Sequence, residues 1–178
     1  NERATINFFT ASFGQGITAT PIQMVTAYAA LANGGRLLKP AIVDKVIHAD
    51  GSETLTEPIE VRRVVSEETS RLMGEMLRSV VVNGHGKRAD VPGYLVGGKT
   101  GTAQVAKTGE KGYEEGVSIG SFVGYAPLND PQFVVIVKLD NPKNVEWAES
   151  SAAPTFGDIM KFLLEYAKIK PTEETTKK

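Results

Sequence analysis

Residues 97–104, with the sequence GGKTGTAQ, place one cation, two hydroxyl side chains and three glycines within a single short stretch. Lys99 can supply positive charge, and Thr100 and Thr102 can donate hydrogen bonds, so together they have the chemistry of an anion receptor. Glycine leaves the backbone bare, which lets a ligand approach its N–H groups closely. A phosphate and a carboxylate would both suit such a receptor.

The phosphate hypothesis rests on residues 93–100, which match the pattern G-x-x-x-x-G-K-[ST] of nucleotide-binding loops. In those loops the motif follows a buried strand, and its lysine opens a helix whose N-terminus binds the anion. Here the charged segment 87–90 precedes the motif, and residues 102–105 continue in a pattern typical of a strand. The phosphate loop is therefore the weaker of the two hypotheses.

The elements around the motif predict an α+β fold, in which an antiparallel sheet is covered by helices. Two apolar runs follow the GGKTGTAQ strand, at 119–125 and 133–139, with a turn at 128–131 between them. Because connections this short force antiparallel pairing, we expect three antiparallel strands. An amphipathic helix over 155–168 should cover one face of that sheet.

Two earlier helices and a pair of extended segments are also predicted. A helix over 20–33 begins with the Thr-Pro-Ile-Gln pattern of a capping box and is apolar nearly all round, which indicates a buried helix. A second helix, over 66–83, has acidic residues in its first turn and one apolar face. Between them lie extended segments at 42–48 and 59–65, with a hairpin turn signal at 50–51.

Composition excludes several classes of protein. The 178 residues carry a formal net charge of −1, so the chain lacks the basic footprint of a nucleic-acid-binding protein. There is no cysteine, and His48 and His85 are far apart, so we expect no metal site and no cofactor. No apolar run is long enough to predict a membrane span. The first residue is not methionine, which suggests that the chain begins inside a longer polypeptide.

Three segments resemble the transpeptidase domain of class B penicillin-binding proteins. They are FGQGITATPIQMVTAYAALANGG, GHGKRADVPGYLVGGKTGTAQ and SFVGYAPLNDPQFVVIVKLDNP. The Lys-Thr-Gly sequence at 99–101 corresponds to the third motif of such enzymes, and the resemblance runs from about Phe13 to Tyr166. It implies that residues 1–168 are the C-terminal portion of a transpeptidase domain. Residues 169–178 are expected to be a polar, disordered tail.

The resemblance also implies a substrate and a role for each residue of the motif. The substrate would be a peptidoglycan stem peptide ending in D-alanyl-D-alanine, and β-lactam antibiotics would bind in the same groove. Thr100 and Thr102 would donate hydrogen bonds to the carboxylate, while Lys99 would supply positive potential and assist proton transfer. The backbone N–H of Thr102 would be one of two oxyanion-hole donors. Gly101 would leave room for substrate, and Gln104 would lie at the end of the groove.

The family's other two motifs, Ser-x-x-Lys and Ser-x-Asn, are not present in the chain. The resemblance places both before residue 1, so we expect the nucleophilic serine of this serine-type D,D-transpeptidase to lie outside the chain. The chain alone should then be inactive, and the N-terminal half of the same domain should be a partner. By resemblance, the domain would lie on the outer face of the cytoplasmic membrane, anchored by a segment not in this chain. A membrane glycan polymerase would be a further partner.

Other interpretations remain open. The chain could be a non-catalytic binding module built on this scaffold, or Lys99 could simply protect a sheet edge from unwanted pairing. His85 lies where relatives usually have a small hydroxyl residue, and we expect it to be solvated and unpaired. Trp147 and the loop at 141–144 are expected to pack at a strand end and to form a turn. A half-domain should also expose an apolar surface.

Overall fold

The computed structural model describes residues 2–109, 112–145 and 147–172. Helices and antiparallel strands confirm the predicted α+β class. The helices are α1 (Glu2–Ala11), α2 (Pro21–Ala32), α3 (Glu67–Asn83) and α4 (Ala152–Tyr166), with short 3₁₀ turns at Lys87–Ala89 and Ala148–Ser150. The strands are β1 (Arg36–Leu38), β2 (Lys45–Ile47), β3 (Glu53–Leu55), β4 (Glu60–Arg63), β5 (Gly97–Ala106), β6 (Tyr113–Ala126) and β7 (Phe133–Asp140).

The three strands after α3 form one antiparallel sheet in the order β5-β6-β7, as predicted. Lys99 lies opposite Val123, and Thr102 lies opposite Gly120. Because Lys99 is inside a strand and does not open a helix, the phosphate-loop hypothesis is wrong. Strand β6 begins at Tyr113, earlier than predicted, because its first residues are polar and pair only with the far end of β5, where Ala106 lies opposite Tyr113.

Helix α4 packs on this sheet and forms the core with it. Phe122 of β6 and Phe156 of α4 are fully buried, and their ring centroids lie 4.6 Å apart. The helix begins at Ala152, before the predicted start at Thr155. Thr155 sits within the first turn and donates its hydroxyl to the carbonyl of Ser151 at 3.0 Å, so it is not the N-terminal cap.

Helix α2 begins with the predicted capping box. The N–H of Gln23 donates to Oγ1 of Thr20 (3.3 Å), and the N–H of Thr20 donates to Oε1 of Gln23 (2.8 Å). The prediction that this helix is buried is wrong, because Ala30 is its one fully buried residue and Ile22 is exposed. Helix α2 contacts β6 and β7 on one side. No element in the described part of the chain covers its exposed side.

Residues 36–65 form two small sheets apart from the main one. β1 pairs with β4, and β2 pairs with β3 across the predicted turn. Ser52 closes this turn by donating from its hydroxyl to the carboxylate of Asp50 at 2.7 Å, which lowers the pKa of Asp50. The segment predicted at 59–65 is extended, but it pairs with β1, and the return strand of the hairpin is the short β3.

An apolar surface is exposed over two regions, as expected for part of a domain. Near the start of the described chain it comprises Phe8, Phe9, Phe13, Ile17 and Ile22, and around the hairpin it comprises Ile42, Val43, Val46, Ile47 and Leu55. None of these side chains is covered by another described element. None of the described helices is both long and apolar enough to span a membrane.

The segment after α4 returns to the loop that leads into β5. Tyr94 donates its hydroxyl to the carbonyl of Ile169 at 2.7 Å, and the N–H of Thr172 donates to the carbonyl of Gly93 at 2.9 Å. Ile169 packs against the core. The rest of the predicted tail, residues 173–178, lies outside the described residues.

Candidate active site

The site is built on β5, which pairs with β6 along one edge only in the described sheet. Beside its other edge, Lys99, Thr100 and Thr102 line a pocket of about 460 Å³. A strand edge offers backbone groups and side chains to a ligand together. The structure thus brings three of the predicted site residues to one place.

The glycines of the motif are explained mainly by packing behind the strand. A Cβ atom on Gly98 would lie 2.7 Å from Cζ of Phe122, and one on Gly97 would lie 2.8 Å from a methyl group of Leu128. A Cβ atom on Gly101 would lie 2.7 Å from Oγ of Ser121. The bare backbone therefore lets β6 and its side chains approach β5 closely.

Helix α3 fixes the start of β5. Nη1 of Arg78 donates to the carboxylate of Asp90 at 2.6 Å and to the carbonyl of Val96 at 3.3 Å. These bonds join the helix to the loop before β5 and to the residue just before the strand. The site strand is therefore held by α3 at its beginning and by β6 along its length.

The polar groups of the motif point to anion binding. Nζ of Lys99 is exposed and donates to the carbonyl of Thr100 at 2.8 Å and to its hydroxyl at 3.2 Å. The hydroxyl of Thr102 accepts the N–H of Ala148 at 3.4 Å. Because that hydroxyl already accepts a hydrogen bond, its own proton is available to a ligand.

The opposite wall of the pocket consists of residues that sequence analysis did not assign to the site. Trp147, Ala148 and Glu149 line it, together with His85 from the loop after α3. The prediction that Trp147 packs at a strand end is wrong, because the side chain is 57% exposed and faces the pocket. The predicted turn at 141–144 is present, with positive φ angles at Asn141 and Asn144.

The prediction that the His85 side chain has no partner is wrong. Its Nδ1 donates to Oε2 of Glu149 at 2.5 Å, across a sequence separation of 64 positions. Both side chains line the pocket together with Lys99. No local pattern relates residues so far apart, so only the folded chain reveals this pair.

The remaining predicted residues lie to the sides of the pocket. Gly101 contributes backbone between the two threonines, and Gln104 borders a neighbouring depression that includes Ser118 and Asn144. The residues that line the Lys99 pocket in the described structure do not include a serine. Among the described residues, no cluster of three or more histidine, aspartate or glutamate side chains could hold a metal ion.

Comparison with known proteins gives a consistent result. The family described as the penicillin binding protein transpeptidase domain matches residues 1–161. The chain is 44% identical over 172 residues to stage V sporulation protein D of Bacillus subtilis. It is 34% identical over 179 residues to a peptidoglycan D,D-transpeptidase FtsI homolog of Mesostigma viride. These alignments cover 95% and 92% of the chain.

The fold is also that of a solved protein. The structure of penicillin-binding protein 3 from Mycobacterium tuberculosis, complexed with ampicillin, matches with a TM-score of 0.80 at 34% identity. That match covers 92% of this chain and 38% of the solved one. The chain spans 26% and 30% of the lengths of the two relatives above. It therefore corresponds to a part of each of these proteins.

Proposed function

The chain belongs to the penicillin-binding protein transpeptidase domain family, and from that premise we propose that it is the carboxylate-binding part of a peptidoglycan D,D-transpeptidase. The observation that carries the proposal is the shared pocket of Lys99, Thr100 and Thr102 at the open edge of β5. A cation and two hydroxyl donors can bind a carboxylate by charge-assisted hydrogen bonds, and the family of the chain favours a carboxylate over a phosphate.

Each residue has a role in this proposal. The hydroxyls of Thr100 and Thr102 donate to the carboxylate of a stem peptide that ends in D-alanyl-D-alanine, and Lys99 supplies positive potential and assists proton transfer. The N–H of Thr102 donates to the developing oxyanion, and losing one such donor typically costs about 3 kcal/mol of transition-state stabilisation. The expectation that Gly101 leaves space for substrate is not kept, because its missing side chain makes room for Ser121 of β6, and Gln104 marks the end of the groove.

The nucleophile in this proposal is a serine that precedes residue 1 in a longer polypeptide. The chain contains no Ser-x-x-Lys sequence, and the described pocket has no serine in its lining. Residues 1–168 then form the C-terminal portion of the domain, and the N-terminal half packs beside it. The predicted tail at 169–178 is corrected at its start, because Ile169 packs on the core and Thr172 bonds to Gly93. The chain alone does not form an acyl-enzyme, and no cofactor takes part.

The biological setting follows from the same proposal. The substrate lies outside the cytoplasmic membrane, so the domain works there, anchored by a segment outside this chain and beside a membrane glycan polymerase. β-Lactams occupy the stem-peptide groove, as ampicillin is bound to the penicillin-binding protein 3 named in the similar structure. A non-catalytic carboxylate-binding module is the second candidate, favoured by the lack of a serine among the residues lining the described pocket.

Covalent labelling by a fluorescent penicillin tests the proposal. In the longer polypeptide with the Ser-x-x-Lys segment, Thr102→Val should slow acylation about tenfold, because one hydroxyl donor to a charged group is lost. Lys99→Ala should slow it about a hundredfold, because a cation facing a carboxylate outweighs one neutral donor. Lys45→Ala, which removes an exposed lysine from β2, is the matched control and should leave the rate unchanged.

Three results would contradict parts of the proposal. Equal labelling of the unaltered protein and Lys99→Ala would show that this strand does not bind the carboxylate. Covalent labelling of the 178-residue chain itself would show that it holds a nucleophile. A longer polypeptide that binds penicillin reversibly without acylation would favour the non-catalytic module.

A further inference from the structure

The proposed anion pocket contains a negative charge of its own. Glu149 lines the same pocket as Lys99, Thr100 and Thr102. A carboxylate ligand that Lys99 attracts is therefore repelled by Glu149 in the same pocket. A pocket for anions that includes an acidic residue needs something to neutralise that residue.

His85 is placed to do this. Its Nδ1 lies 2.5 Å from Oε2 of Glu149, and in the described chain this is the one ion pair that Glu149 forms. The side chains of His85 and Glu149 are 83% and 42% exposed, so an incoming ligand meets the pair and not a bare carboxylate.

We propose that His85 is a specificity-determining residue that pairs with Glu149, offsets the charge of that carboxylate and so admits carboxylate ligands to the pocket. The inference rests on the proposed function, because it takes the pocket to be the carboxylate site. With the pair intact, Lys99 is the dominant charge of the pocket. Without His85, the charge of Glu149 opposes an incoming carboxylate.

Among the described residues, the other charged groups that line a pocket with His85 are cations. Lys87 and Arg88, in the 3₁₀ turn after α3, line a small depression together with His85 and Glu149. Lys99 of β5 lines the main pocket together with His85. Among the described residues that line these two pockets, Glu149 is the one acidic residue.

A purely structural role for the pair makes a different prediction. Glu149 lies in the turn whose Ala148 N–H contacts the Thr102 hydroxyl, so His85 could instead hold that turn in place. In that case His85→Gln and Glu149→Gln would both slow acylation. Charge compensation predicts opposite effects, because Glu149→Gln removes the repulsion itself. Exposed ion pairs contribute little to stability, so neither variant should change the melting temperature.

The experiment measures the second-order rate of acylation by a fluorescent penicillin in the longer polypeptide, for each variant and for the unaltered protein. We expect His85→Gln to react about threefold slower, because Glu149 then faces the ligand without its partner. Glu149→Gln should react up to about threefold faster, because the repelling charge is gone, and the double variant should behave like Glu149→Gln. Both differences should shrink in 0.5 M salt.

Controls separate this inference from the proposed function. Glu53→Gln removes the partner of Lys45 in another exposed ion pair, away from the pocket, and should leave the rate unchanged. If both pocket variants react more slowly, or if salt does not reduce the differences, charge compensation is overturned. If Lys99→Ala is labelled normally while His85→Gln and Glu149→Gln shift the rate in opposite directions, the role of Lys99 fails and that of His85 stands.

Discussion

The sheet β5–β7 and the segment 36–65 are both antiparallel, but they bury their apolar side chains very differently. Phe122 and Phe156 are fully buried between the sheet and α4, whereas Ile47 and Leu55 of the hairpin remain exposed. Backbone pairing alone therefore does not make a core in this chain, and a covering helix is needed as well. The site strand belongs to the covered region, so its geometry is supported from within the chain.

The strongest test of this contrast uses two phenylalanines of α4. Phe156→Ala should lower the free energy of unfolding by about 3–5 kcal/mol, because it opens a cavity against Phe122. Phe162→Ala, on the same helix but 62% exposed, should cost less than about 1 kcal/mol. Urea denaturation measures both values. Similar losses for the two variants would mean that α4 does not cover the sheet as described.

A second test adds volume where β5 and β6 meet. The Cβ atom of Gly98→Ala would lie 2.8 Å from the carbonyl oxygen of Val123 as well as against the ring of Phe122. Overpacking of this kind typically costs about 1–3 kcal/mol. We expect a lower melting temperature and slower penicillin acylation, because Lys99 follows directly in the strand. A variant with unchanged stability would show that β6 shifts at this position to make room for the added methyl group.

The smallest effect should come from the uncovered region. Val46→Thr in β2 keeps the shape of a side chain that is 47% exposed, so the free energy of unfolding should change by less than about 0.5 kcal/mol. The same substitution at Val137 of β7, which is 7% exposed, buries a hydroxyl and should cost about 1–3 kcal/mol. A large loss at Val46, measured by the same denaturation, would mean that the hairpin is covered in solution.

Local signals predicted the elements that position the site. The capping box at Thr20, the acidic first turn after Ser66 and the short connections among the last three strands all depend on neighbours in sequence, and the structure confirms them. The apolar character of α2 indicated burial, but the cover for such a helix depends on other elements. Sequence patterns therefore predicted where α2 begins and ends, but not which elements surround it.

The errors at the site have a similar cause. The pair of His85 and Glu149 forms only when two distant loops meet, so no spacing rule could have found it. The prediction that Trp147 packs at a strand end failed because the exposure of its side chain depends on which other elements lie against it. The early start of α4 was missed because Ala152 and Ala153 give no periodic signal, while their small size lets the helix approach the core closely.

The register of β5 against β6 has a consequence for insertions and deletions. Gly98 lies opposite Gly124 and Lys99 opposite Val123, with the ring of Phe122 filling the space beside Gly98. Loss or gain of one residue between Lys99 and Thr102 would turn every later side chain of the strand to the other face. Such a change would turn the hydroxyl of Thr102 away from the pocket that it lines together with Lys99. This strand should therefore tolerate changes of residue type far better than changes of length.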